Sequence, residues 1–303
     1  MVLAVDLGQS GTRIRWADGH FDSVRAKRAT ESSLEVLRDV FDELFEFHEG
    51  AIREDLVALS LTGIYGHVPD PGPYGALAED YFGATHVAVI DDGLAGLIGA
   101  LGVEDGVALS VGSGVVAVAD RKGKFSHADG LGHVFGDIGG GFWLGKHALE
   151  RALATRQGRE EEDTQLLAYL HDEVSQFDLL DSNTGADANW LCITSAKKVL
   201  EAAEKDVEGA LTIRNHGARA LANTVKAAWL SAGGSPTERF SLALLGGLSR
   251  NRGYEEVITR SVLELLPATQ LSSVRGNHLD GAFLIAATMK EDLPPLLRWW
   301  HKR

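Results

Sequence analysis

The run Asp6-Leu7-Gly8-Gln9-Ser10-Gly11-Thr12 sets a carboxylate directly ahead of a turn carrying two glycines and two hydroxyls. Such a turn can aim several backbone N–H groups at one phosphate, and glycine lets the backbone approach closely. An ordinary hairpin with an acidic strand cap would read the same way. The pattern recurs at Gly112-Ser113-Gly114, and two such hairpins suit a polyphosphate gripped from opposite sides. Between them, the apolar run Val87 to Ile90 ends at Asp91-Asp92. A carboxylate at a strand end can take the proton of an attacking hydroxyl, the role phosphoryl transfer asks of a base. Either aspartate can equally cap the helix that begins near Gly93.

Gly130 to Gly141 is too rich in glycine for a helix or a central strand and predicts a loop of unusual backbone geometry. Asp137 in this loop is a candidate acceptor for substrate hydroxyls, or an N-cap for the helix that starts at Phe142. Competing motifs fail. Gly140 to Lys146 approximates a Walker A loop, but His147 stands where a hydroxyl must reach Mg²⁺, and no strand precedes it. His127, His133 and His147 lack a carboxylate or cysteine at ligand spacing and read as surface or core histidines.

These residues need a scaffold. At 303 residues the chain suits two domains and a cleft between lobes. Apolar and charged fractions of 45% and 24% are those of an average globular protein. A net charge of −14 argues against a nucleic-acid partner. ATP stays compatible, because Mg²⁺ neutralises much of its charge and N–H groups can hold phosphates without basic side chains. The single cysteine, Cys192, excludes an intramolecular disulfide, a cysteine-ligated Fe–S cluster and a Cys-rich zinc site. Met1 to Asp6 has no basic region and its apolar stretch stops at Asp6, so no signal peptide is expected. Apolar stretches fall short of the roughly 18 residues of a membrane span. A cytoplasmic protein with no membrane partner is expected.

Residues 2–7, 12–17 and 21–27 read as strands, 31–49 as a helix with Leu34, Leu37, Val40, Phe41, Leu44 and Phe45 at helical spacing, and 56–61 as a strand. A Pro/Gly-rich loop covers Pro69 to Pro73. Strands are expected at 106–111 and 115–119 around the second glycine turn, and at 240–245 running into Gly246-Gly247. Helices are expected over 139–175, 195–232, 252–266 and 279–290, with a polar stretch at 178–190. The repeated strand, glycine turn and strand predicts two related lobes, 1–103 and 104–303, with the tail from Pro294 free to pack on either.

Taken in order, the Asp6 to Thr12 loop, Thr62-Gly63, Val89 to Asp92, Gly112 to Gly114, the Gly132 to Gly139 loop, Gly246-Gly247 and Gly281-Ala282 resemble the BadF/BadG/BcrA/BcrD-type ATPase and N-acetylglucosamine kinase family. The resemblance implies an α/β, two-lobed actin-like ATPase (ribonuclease H-like) fold with a nucleotide cleft between lobes. It implies an ATP-dependent sugar kinase using Mg²⁺ and acting on a hydroxyl, the 6-OH, of an amino sugar such as N-acetylglucosamine or glucosamine. By the same resemblance Asp92 is the catalytic base, and Gly8, Ser10, Gly11, Thr12, Gly112, Ser113 and Gly114 grip phosphates. Gly246 and Gly247 form the adenosine turn, Thr62, Asp92, Gly132, His133 and Asp137 contact the sugar, and Asp6 stands near Mg²⁺ through water. A homodimer is expected. The chain departs from the family's pattern at Ile138, usually Glu, at Gly140, usually Ser, and at Leu131, usually Trp. A non-catalytic ATP and sugar sensor, or a non-sugar ATPase of the same fold, is the alternative.

Overall fold

The computed structural model describes residues 2–9, 11–27, 31–48, 52–159, 163–177 and 185–303, without the side chains of residues 185 and 186. Its contacts divide the chain into two units, Met1–Glu104 with Ser272–Arg303, and Asp105–Leu271. The division expected at 103 leaves 272–303 with the second part. In the structure that segment belongs to the first, because a strand from it joins the edge of the first unit's sheet and a helix from it packs on that sheet's face.

The first unit contains β1 (Val2–Leu7), β2 (Thr12–Trp16), β3 (Gly19–Ser23), α1 (Ser33–Phe47), β4 (Leu56–Leu61), α2 (Gly72–Phe82), β5 (His86–Asp91) and α3 (Asp92–Leu101). The second contains β6 (Gly106–Val111), β7 (Val115–Arg121), β8 (Lys124–Asp129), α4 (Gly141–Arg156), α5 (Thr164–Tyr169), α6 (His171–Phe177), α7 (Gly185–Glu204), α8 (Glu208–Ser231), β9 (Phe240–Leu245), α9 (Arg252–Leu265) and β10 (Thr269–Leu271). The chain then returns to the first unit with α10 (His278–Thr288) and β11 (Leu297–His301).

The two sheets run β11-β5-β4-β1-β2-β3 and β10-β9-β6-β7-β8. Without β11, these are one path drawn twice: an antiparallel meander whose first strand is flanked by parallel strands. β1, β4 and β5 are covered on both faces, which explains their near-continuous apolar sequences. On one face Leu3, Val5, Leu7, Val57, Leu59, Val87 and Val89 pack against Val36, Val40, Phe41 and Leu44 of α1 and Leu77 and Phe82 of α2. The alternate residues, Ala4, Ala58 and Ala88, are small and lie on the face taken by α3 and α10. Those two helices cross with almost no space between backbones. A Cβ on Gly281 would sit 1.7 Å from the Ala95 carbonyl oxygen, and one on Gly99 2.1 Å from that of Asn277.

In the second unit α8 lies on β6, β7 and β8, and α4 meets α7 so closely that a Cβ on Gly145 would sit 1.8 Å from the Cys192 carbonyl oxygen. Several elements differ from expectation. The third strand is Gly19–Ser23, earlier than 21–27, and α2 follows the Pro/Gly loop with Pro71 at its N-cap. β8, β10 and β11 were not expected; each is an outer strand of its sheet, where one polar side weakens the apolar signal. Residues 178–184 of the expected polar stretch lie outside the described residues. No helix among the described residues is long and apolar enough to cross a membrane.

Candidate active site

Parallel pairing brings three strand ends to one edge of the first sheet. Leu7 is in register with Leu61, and Leu61 with Asp91, so Gly8, Thr62 and Asp92 leave from adjacent positions. Ligand sites of open α/β sheets gather at such carboxyl ends.

The two aspartates divide the roles that the sequence leaves open. Asp91, in extended backbone (φ −65°, ψ 132°), is the N-cap of α3; its Oδ1 accepts from the N–H groups of Gly93 (3.0 Å) and Leu94 (3.3 Å). Asp92 is therefore released from capping, and the Thr62 side chain stands near enough to its carboxylate to favour the charged form. Burial lifts Asp91 from the ordinary 3.8 to about 6, against backbone hydrogen bonds that favour its charged form. Asp92 rises further, to about 7, through burial first and then the like charge of Asp91; His278, at the start of α10, and Thr62 pull the other way. The carboxylate with the higher proton affinity is thus the one not tied to a helix end.

Asp6 is 6% exposed and its Oδ2 accepts from the Arg13 guanidinium at 2.5 Å. The pair follows from register, since Arg13 stands directly opposite Asp6 in the β1–β2 hairpin. The turn closes through the Gly8 N–H to the Gly11 carbonyl (3.0 Å), and Gly11 is required there: its φ is +151° and a Cβ would sit 2.8 Å from the Ser23 carbonyl oxygen. Thr12 corrects the expectation of a phosphate contact. Its hydroxyl is buried and donates to the Arg25 carbonyl at 2.7 Å, so it holds the chain after β3 and is not offered to a ligand. Ser10 lies outside the described residues.

Lys27, Arg13 and His278 are neighbours of this edge that the sequence does not single out. Arg13 had a signal in hairpin register. Lys27 had none, because it arrives through a long-range bond from its N–H to the Gly8 carbonyl (3.0 Å).

In the second unit the Gly112 to Gly114 turn joins β6 to β7, with the Gly112 N–H on the Gly114 carbonyl (2.9 Å). The start of α4 is fastened to it by Gly141 N–H to Gly112 O (2.8 Å) and Phe142 N–H to Ser113 O (3.0 Å). Asp137 does not cap α4, whose N-cap is Gly140. It is 8% exposed, with left-handed backbone (φ +61°), and its Oδ1 accepts from the Val115 N–H at 2.9 Å, fastening the Gly-rich loop to the same turn. Burial raises its pKa, and the Val115 N–H opposes that rise. Gly132 turns the loop at φ +76°, and the exposed His133 ring lies 4.5 Å from that of Phe142.

Glycine serves two purposes here. Gly246 has φ +92°, and a Cβ would sit 2.4 Å from the Val111 carbonyl oxygen; at Gly114 it would meet Asp137 Oδ2 at 2.6 Å. The fold itself demands both. Gly112 and Gly247 have neither left-handed backbone nor any atom within 4 Å of a Cβ position, so packing gives no reason for glycine, whereas a closely approaching ligand would.

The sequence profile of the BadF/BadG/BcrA/BcrD ATPase family matches residues 1–282. An N-acetylmuramic acid/N-acetylglucosamine kinase of Clostridium acetobutylicum is 26% identical over 269 residues, which cover 84% of this chain and 86% of the relative. Among solved structures, a protein assigned as an N-acetylglucosamine kinase from Chromobacterium violaceum superposes with TM-score 0.68 at 20% identity, covering 94% and 98% of the two chains. A ROK family glucokinase from Streptomyces griseus, in complex with glucose and AMPPNP, gives TM-score 0.57 at 18% identity over 94% and 99%. The fold is that of the actin-like ATPases and sugar kinases, with the duplicated strand path described above. With the profile match spanning nearly its whole length, this chain belongs to the BadF/BadG/BcrA/BcrD ATPase family.

Proposed function

We propose that this protein is an ATP-dependent sugar kinase in which Asp92 takes the proton from a hydroxyl of an amino sugar as that hydroxyl attacks the γ-phosphate. The observation that carries the reading is the division between neighbouring aspartates. Asp91 satisfies the helix end, while Asp92 keeps a carboxylate that caps nothing and is lifted to about 7, near the working pH that suits a general base. The kinase names of the relative and of the structural neighbours support the reaction class. N-acetylglucosamine or glucosamine is the acceptor we assign, with its 6-OH as the nucleophile.

The Gly8 to Gly11 turn and the Gly112 to Gly114 turn are the phosphate grips in this reading, with Gly247 at the adenosine. The open Cβ sides of Gly112 and Gly247 fit close contact with a nucleotide. Among the described residues no cluster of three or more potential metal ligands occurs. Mg²⁺ keeps waters and phosphate oxygens and takes one or two carboxylates from a protein. Asp6, buried at the end of β1, is the carboxylate we assign to it, through water. When bound, the ion neutralises charge on the phosphates.

Asp92 orients and deprotonates the sugar hydroxyl; Thr62 beside it favours its charged form; Arg13 fixes Asp6. The test is ADP formation from ATP against a panel of hexoses, amino sugars and N-acetylated sugars. Sugar-dependent ADP release is the expected result. Release at the same rate without any sugar would overturn the reading in favour of a non-sugar ATPase, and binding without turnover in favour of a sensor.

A further inference from the structure

In the second unit a single buried hydroxyl links segments that the kinase reading gives to different ligands. Gly139, Gly140 and Gly141 carry no side chain to fix their path, so hydrogen bonds must set it. Two donors of this run are taken by the Gly-rich loop and the phosphate turn: the Gly140 N–H reaches the Asp137 carbonyl (3.0 Å) and the Gly141 N–H the Gly112 carbonyl (2.8 Å). The Gly139 carbonyl is held from α9 instead, accepting from the Tyr254 hydroxyl at 2.8 Å. Among the described residues no other group donates to it. Tyr254 is fully buried, and Gly217 of α8 leaves the room for its hydroxyl: a Cβ there would sit 2.8 Å from that oxygen and 3.1 Å from the Gly139 Cα.

Tyr254 stands in the first turn of α9, directly after the connection that carries Gly246 and Gly247. Asn251 caps that turn, its Oδ1 accepting from the Tyr254 N–H at 2.8 Å, and its Nδ2 donates to Glu204 at the end of α7 (2.7 Å). Among the described residues the Tyr254 hydroxyl makes the one hydrogen bond between this connection and the 132–141 loop. We propose that Tyr254 is a positioning residue for the acceptor sugar: by holding the Gly139 carbonyl it fixes the path of the loop that carries Gly132, His133 and Asp137. Without the hydroxyl that carbonyl is left buried and unpaired, and three consecutive glycines offer little resistance to a rotation that finds it another donor. Asp137, two residues away, moves with them. The Asn251 cap uses only the Tyr254 backbone, so the nucleotide turn stays in place. The inference rests on the kinase reading and on its assignment of the 132–137 loop to the sugar.

The experiment compares wild type, Tyr254→Phe and Ile258→Val in steady-state kinetics with ATP and either N-acetylglucosamine or glucosamine, alongside melting curves. Phenylalanine keeps the buried ring and removes only the donor. Tyr254→Phe should raise KM for the sugar about tenfold, the scale of one unpaired buried acceptor, with KM for ATP within about twofold of wild type. Ile258, fully buried one turn further along α9, is the control for general loosening: Ile258→Val should lower the melting temperature and leave both KM values in place. An unchanged sugar KM in Tyr254→Phe, an equal rise in both KM values, or a matching rise in Ile258→Val would overturn the proposal and leave the kinase reading intact. Turnover of neither sugar by wild type would sink the kinase reading and this proposal together. Calorimetric titration of N-acetylglucosamine into Asp92→Asn, with and without Tyr254→Phe, should show the same tenfold loss without turnover, and equal affinities there would count against Tyr254. If Tyr254→Phe does not fold, Gly217→Ala reaches the same hydroxyl from α8 and should raise the sugar KM in the same selective way.

Discussion

Exchanging the two neighbouring aspartates for asparagine, one at a time, should have opposite consequences. Asp92→Asn removes the group proposed to take the proton and should lower kcat about 10²- to 10⁴-fold, with ADP affinity within a few-fold of wild type. Asp91→Asn keeps a side-chain oxygen for the N–H groups of Gly93 and Leu94, and Asn caps helices about as well as Asp. It should fold and turn over within a few-fold of wild type. It should also move the pH profile. The base works deprotonated, so kcat/KM falls as pH drops through the Asp92 pKa of about 7. The charge of Asp91 helps to hold that value up, and its removal should shift the acid limb to lower pH. Stability gives a further sign. Both carboxyls have folded pKa values above the ordinary 3.8, so their ionisation costs stability as pH rises through about 6 to 7. Asp92→Asn should therefore melt higher than wild type at pH 8 and gain less at pH 5. Steady-state kinetics from pH 5 to 9, with melting curves at both ends, tests all of this. Loss of turnover in Asp91→Asn with full activity in Asp92→Asn would refute the assignment, and an unmoved acid limb in Asp91→Asn would refute the electrostatics.

Gly112→Val should weaken ATP binding at least tenfold with an unchanged melting temperature, since nothing lies within 4 Å of the added Cβ; calorimetry and a melting curve check it. Gly281→Ala should do the reverse, destabilising by about 3 kcal/mol in urea titration, because its Cβ would sit 1.7 Å from the Ala95 carbonyl oxygen and α10 must shift. Ile138 is 40% exposed, on the loop face and not in the core, so Ile138→Glu should leave the melting curve in place and reduce the preference for N-acetylglucosamine over glucosamine in kcat/KM. A stable Ile138→Glu protein with an unchanged ratio would remove Ile138 from the sugar pocket.

The parallel strands were legible because burial on both faces leaves apolar runs at 2–7, 56–61 and 87–90, and the glycine turns were legible because no other element tolerates that composition. β8 and β11 were not, since an outer strand with one polar side shows no continuous run. Within the site the limits were finer. Asp91 and Asp92 are the same residue type one position apart, and which of them caps α3 is decided by where the backbone turns from extended to helical, a torsional matter that composition does not carry. Glycine poses the same problem on a larger scale. Gly246 and Gly112 each stand just beyond the end of a sheet strand in a Gly-rich turn, and from sequence both read as phosphate or nucleotide contacts. The structure separates them by cause: Val111 already fills the space beside Gly246, while the space beside Gly112 is open. A glycine demanded by the fold is lost through stability, and one demanded by a ligand through affinity. Motif glycines therefore identify where a ligand can approach only after those forced by backbone angle or by a neighbouring carbonyl have been set aside, which in the second unit leaves Gly112 and Gly247 as the positions where substitution should reach the nucleotide and nothing else.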